Sequence, residues 1–93
     1  MSEKLFCVYM MASRKRGTIY IGVTSNLVGR AWLHRNHILK GSFTDRYDVT
    51  QLVWYEVHGT AETAIIREKR LKKWRRAWKV ELIEAMNPRW DDL

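Results

Sequence analysis

Two short runs, residues 5–11 and 18–23, are rich in β-branched and aromatic residues, and the polar stretch Ser13-Arg14-Lys15-Arg16-Gly17 lies between them. This arrangement limits the fold more than any other feature of the chain, because it reads as an antiparallel hairpin. Side chains alternate along a strand, so Phe6, Val8 and Met10 share one face with Ile19, Ile21 and Val23. That face is wholly apolar and must be core. The opposite face carries Tyr9, Thr18, Tyr20 and Gly22. With the turn centred near Arg14-Lys15, Tyr9 is expected opposite Tyr20, and Gly22 is expected to leave open space beside the two phenols.

The remainder of the chain must cover this hairpin. Thr24-Ser25-Asn26 is a helix N-cap cluster, and the helix after it is expected to run to about Ile38, with Leu27, Ala31 and Ile38 facing inward. Arg30 and His34 are spaced i,i+4, on one side of that stripe. Lys40-Gly41-Ser42 marks a loop, and residues 50–57 read as a third strand, ended by His58-Gly59-Thr60. The next helix starts at Ala61. Its inner face holds Ala61, Ala64, Ile65, Leu71 and Lys72, and Glu68 falls among them. A core-facing acid is costly unless it is paired, hydrogen-bonded or holding a cation, and an ion pair with Arg30 is one such arrangement for Glu68. A break near Trp74–Trp78 precedes a last helix carrying Val80, Leu82, Ile83 and Met86, and Asn87-Pro88 stops it. The expected fold is α+β. It is one domain over residues 1–93: a small antiparallel three-stranded sheet flanked by helices, in the order β-β-α-β-α-α.

Composition narrows the class of partner. The chain has 93 residues and 46% apolar content, which suits one ordinary globular core. A formal charge of +7 points to a polyanion, with nucleic acid ahead of a membrane surface. The single cysteine, Cys7, excludes an internal disulfide and a cysteine-based zinc site, so a reducing, cytoplasmic setting is expected. The apolar run Leu5–Ala12 is far shorter than the roughly 20 residues of a membrane span. Basic residues cluster at Lys69, Arg70, Lys72, Lys73, Arg75, Arg76 and Lys79, above an expected buried stripe of Leu71, Trp74 and Trp78. Such a cluster grips phosphates, giving affinity with little sequence specificity. Arg14, Lys15 and Arg16 at the hairpin tip offer a second contact. The loop Ser42–Tyr47 either touches nucleic acid or covers the core. His37 and His58 read as incidental, and Asp45, Asp48, Asp91 and Asp92 lie in a loop and the tail, so a two-metal carboxylate cluster is not expected.

Six polar residues remain: Tyr9, Tyr20, Arg30, His34, Glu68 and Asn87. Tyr20-Ile21-Gly22, with Cys7-Val8-Tyr9 eleven residues before it, resembles the paired motifs of the GIY-YIG nuclease domain family. The likeness continues through Arg30 and His34, Glu68 in Arg67-Glu68-Lys69-Arg70, and Asn87 in Asn87-Pro88-Arg89-Trp90. It implies a divalent-metal-dependent DNA endonuclease in which Glu68 holds one Mg²⁺ or Mn²⁺ ion. The implied general base is Tyr9, with Tyr20 as second choice. Arg30 would stabilise phosphoryl charge, His34 would orient a tyrosine or the water, and Asn87 would brace the site. A lone acid suits these ions, which bind through one or two carboxylates and keep several waters. Many members carry a lysine just after the second motif, where this chain has Val23-Thr24. The alternative expectation is therefore a weak or inactive nucleic-acid-binding module within a repair or recombination complex. The simplest assembly is a monomer, with specificity drawn from DNA shape or from a protein partner.

Overall fold

The computed structural model describes residues 5–93; residues 1–4 lie outside the described part. The elements are β1 (Phe6–Ala12), β2 (Ile19–Thr24), α1 (Leu27–Arg35), α2 (Phe43–Arg46), β3 (Gln51–His58), α3 (Ala61–Lys73) and α4 (Arg76–Met86). The three strands form one antiparallel sheet in the order β2-β1-β3. This is the expected α+β architecture, with one added turn of helix, α2, inside the loop between α1 and β3.

The hairpin register differs from expectation in an informative way. Tyr9 pairs with Gly22 and Met11 with Tyr20. The turn sits one residue further along the chain: the Gly17 amide donates to the Arg14 carbonyl at 2.9 Å, and Arg16 takes a left-handed φ of 56°. Moving the turn by one residue moves the pairing by two. A shift of two preserves both faces, whereas a shift of one would have inverted them.

The sheet is covered on both sides. Val8, Met10, Ala12 and Ile21 meet Ala64, Leu71, Ile83 and Trp90 in the larger core, under α3 and α4. Fully burying side chains such as Leu71 and Ile83 contributes about 1.5–3 kcal/mol each. On the opposite face Tyr9, Met11, Leu52 and Val49 meet Ala31 of α1, with Tyr20 and Leu27 packed alongside.

Several inward-facing expectations are corrected. Helix α1 ends at Arg35 rather than near Ile38, because His37 turns the chain with φ 53° and Ile38 is exposed. His37 belongs to no metal-ligand group among the described residues, and its ring lies between the Asp45 and Asp48 carboxylates, at 3.0 and 3.2 Å. His58 likewise pairs with Glu56 at 2.7 Å. On α3 only Ala64 and Leu71 are fully buried, while Ile65 and Lys72 face outward. Trp74 packs on the core, but Trp78 is exposed and meets it edge-on at 6.0 Å. Met86 is also exposed. Beyond α4 the chain folds back along the sheet. Buried Trp90 donates from Nε1 to Glu84 at 2.8 Å, and the Leu93 amide donates to the Leu52 carbonyl at 2.8 Å.

Candidate active site

Pairing Tyr9 with Gly22 builds the centre of the site. A Cβ at residue 22 would lie 2.6 Å from the Tyr9 hydroxyl, so the phenol occupies the room that glycine leaves. The expected open space is filled by Tyr9 itself. Tyr20 sits two residues along β2 on the same face, its ring centroid 6.1 Å from that of Tyr9.

Helix α1 supplies the other half. Asn26 caps it by accepting the Gly29 amide at 3.1 Å, which sets the helix against the second face of the sheet. One turn further in, His34 reaches the tyrosines, with centroids 6.0 Å from Tyr9 and 5.4 Å from Tyr20. Its Nε2 is 3.1 Å from the Tyr9 hydroxyl and its Nδ1 is 2.8 Å from Thr44 Oγ1. The Thr44 hydroxyl continues to Ser42 Oγ at 3.1 Å. A neutral imidazole donates at one nitrogen and accepts at the other, so either direction of this chain of bonds is complete.

Burial divides the group in two. Tyr9, His34 and Thr44 are at most 3% exposed, whereas Tyr20 and Arg30 are half-buried and reach solvent. Burial pushes the Tyr9 hydroxyl well above its ordinary pKa of 10, and the nearby Tyr20 phenol adds to this against the pull of Arg30. Burial and then the Arg30 charge lower His34 below its ordinary 6.5, which keeps the ring neutral near pH 7. The cluster is therefore a fixed, uncharged Tyr9–His34–Thr44 relay with a more accessible phenol and a guanidinium in front of it.

Glu68 and Asn87 stand outside this cluster: among the described residues, no hydrogen bond or ion pair joins either of them to it. Glu68 rises from α3, on the other side of the sheet, with 19% of its side chain exposed and its carboxylate 3.0 Å from Lys72. Its ion-pair partner is thus Lys72, one turn away, and not Arg30. Helix α3 packs across β1 and β2, which places Glu68 on a helix lying against the strand that carries Tyr20. Asn87 is fully engaged in structure: Nδ2 donates to the Val53 and Asp91 carbonyls, and Oδ1 accepts the Asp91 amide.

The donor set for a cation is narrow. Among the described residues, no group of three His, Cys, Asp or Glu side chains could hold a metal ion. One half-buried carboxylate whose exposed lysine partner can swing away suits Mg²⁺ or Mn²⁺, which accept a single carboxylate beside waters and a substrate phosphate.

The basic residues separate by what they already hold. Arg16 forms a two-pronged bond to Glu84, and Arg76 donates to the Arg16 and Gly17 carbonyls at 2.5 and 2.6 Å, clasping the hairpin tip to α4. Arg75 lies over the Trp78 ring, and Lys79 reaches the Lys72 carbonyl. Arg14, Lys15, Lys69, Arg70 and Lys73 are exposed and have no hydrogen-bond or ion-pair partner among the described residues. Sequence reasoning missed Thr44, which orients His34 from a loop ten residues away. Its only local signal is the neighbouring cap, Ser42, which accepts the Asp45 amide.

Among the described residues, no helix is long and apolar enough to cross a membrane. Comparison with curated proteins and with solved structures returns no match. A family profile described as the GIY-YIG catalytic domain matches residues 5–81, which takes in every member of the tyrosine cluster and Glu68 but stops short of Asn87. With both tyrosine motifs, Arg30, His34 and Glu68 inside that span, the chain belongs to the GIY-YIG catalytic domain family, a family of nucleases.

Proposed function

We propose that this protein is a divalent-metal-dependent endonuclease that hydrolyses DNA phosphodiester bonds. The observation that carries the reading is the convergence of Tyr9, Tyr20, Arg30 and His34 on one face of the sheet, two of them buried and two reaching solvent.

Burial assigns different work to the two tyrosines. Tyr9 is buried, bonded to His34 and pushed towards its protonated form, which suits it to positioning. Tyr20 is the phenol that reaches solvent, so the base that takes a proton from the attacking water is Tyr20. This reverses the order expected from the resemblance. A phenol is a weak base at neutral pH because the ordinary pKa of the group is near 10. Arg30 also faces the charge that develops on the phosphoryl oxygens. Glu68 would hold the cation. A bound Mg²⁺ or Mn²⁺ supplies Lewis acidity to the phosphate and to the departing 3′-oxygen.

One site on a small basic domain suits a monomer that nicks one strand at a time. Specificity then comes from DNA shape or from a protein partner. A second reading, a binding module with little activity, draws support from residue 23. Val23 is half-buried against the larger core, where many family members place a lysine.

Cleavage of supercoiled plasmid and of branched DNA, with Mg²⁺, Mn²⁺ or EDTA, separates the two. Metal-dependent nicking is expected for the native protein and is expected to vanish in Glu68→Ala with the fold intact. A Glu68→Ala variant that cuts normally would overturn the metal assignment. Tight, salt-sensitive binding without any cutting would select the binding module.

A further inference from the structure

Helix α2 is a single turn, Phe43–Arg46, yet it is held from several directions. Asp45 accepts the Gly41 amide at 2.9 Å and meets the His37 ring at 3.0 Å. Thr44 is buried against His34, and Val49 just beyond is fully buried. The apolar and polar anchoring of this loop is thus carried by Thr44, Asp45 and Val49.

Its two aromatic rings stay open to solvent. Phe43 is 45% exposed and Tyr47 is 54% exposed, with centroids 4.7 Å apart. The Phe43 ring lies 6.3 Å from Tyr20, which in turn lies 5.4 Å from His34. An unbroken run of rings therefore leads from the reacting phenol to the surface. Arg46, between the two exposed rings in sequence, is exposed and without a hydrogen-bond or ion-pair partner among the described residues.

We infer that Phe43 and Tyr47 form a stacking platform for an unpaired nucleobase of the strand being cut, so that the preferred substrate is DNA with a single-stranded or branched segment at the site. Exposed rings beside a cation take successive bases in this way, because every base has a flat face and every linkage a negative charge. A continuous duplex keeps its base faces stacked on one another and offers these rings only backbone. An apolar protein partner would bury Arg46 without neutralising it, and a chain of charge +7 favours the polyanion. The inference rests on the nuclease reading for where the phosphate lies, while the stacking itself needs no cleavage.

The experiment measures binding in EDTA, where cutting cannot interfere, by fluorescence anisotropy. The probes are a forked DNA, a blunt duplex of equal length, and the forked DNA with abasic sites in its unpaired arm. The proteins are the native chain, Phe43→Leu and Tyr47→Leu, which keep apolar bulk, and Tyr47→Phe, which keeps the ring. Each leucine variant is expected to lose about tenfold in affinity for the fork and nothing for the duplex. Tyr47→Phe should bind like the native chain, and the abasic fork should bind weakly with no further loss in the leucine variants. Equal losses on fork and duplex, or no loss on either, would overturn the platform. Cleavage in Mg²⁺ is scored separately. Fork-selective losses in a protein that cuts nothing uphold the platform and reject the nuclease, whereas brisk cutting indifferent to both substitutions does the reverse.

Discussion

Gly22 shows how much one missing atom can decide. Adding a methyl group there sets it 2.6 Å from the Tyr9 hydroxyl, so Gly22→Ala must displace the phenol or bend β2. Overpacking of this kind costs about 1–3 kcal/mol, and thermal unfolding should show a fall of at least about 5 °C. Cleavage should fall as well; a variant with native melting and native activity would mean that Tyr9 has room that the structure denies. His34 allows a second test. Its pKa is lowered in the folded protein, so the unfolded chain binds the extra proton first as pH falls below 6.5. The contribution of a neutral His34 is fully present above that pH and declines below it. Asp45 and Glu84 are also lowered, but from 3.8 and 4.5, so their losses come at lower pH. Melting temperatures from pH 7.5 to 5 should therefore decline more steeply in the native protein than in His34→Gln. Parallel declines would show that the ring protonates without penalty.

At the scale of elements, the faces of the hairpin were legible in the sequence because alternation depends only on residue order. The register was not. Two-residue slips leave every face unchanged, and the choice fell to Arg16 adopting a left-handed φ of 56° in the turn, which its residue type does not announce. The three strands and the breaks after α3 and α4 were readable from apolar runs and from Asn87-Pro88. The end of α1 was not, because His37 stops it through carboxylates eight and eleven residues away. The same limit hid Thr44. Tyr9, Tyr20, Arg30 and His34 meet as their spacings imply, whereas Asn87 is engaged with the tail and Glu68 with Lys72. The hairpin tip gives the test at this scale. Arg76→Ala removes its two bonds to the hairpin tip and leaves the Arg16–Glu84 pair, so it should lower stability and leave the salt dependence of DNA binding almost unchanged.

For the whole molecule, a net charge of +7 is divided between cations that hold the fold and exposed cations without a hydrogen-bond or ion-pair partner among the described residues. Lys69, Arg70 and Lys73 belong to the second kind. Reversing all three to Glu should weaken DNA binding and flatten its logarithmic salt slope by about 0.9 for each phosphate left without its cation. An unchanged slope would place DNA elsewhere on the surface. The contrast with Arg76→Ala matters, because weaker binding caused by unfolding would also appear in circular dichroism, whereas weaker binding caused by missing charge would not.

The return of the chain beyond α4 has a practical meaning. A sheet of three strands has two outer edges, and an uncovered edge invites the next molecule to add a strand. Here the Leu93 amide occupies the Leu52 carbonyl and the Asp92 carboxylate occupies the Leu52 amide, so a few residues act as a stopper on the β3 side. Purification handles joined directly after Leu93 would tug at that stopper, and preparations made that way should grow turbid on storage sooner than those tagged at the opposite end.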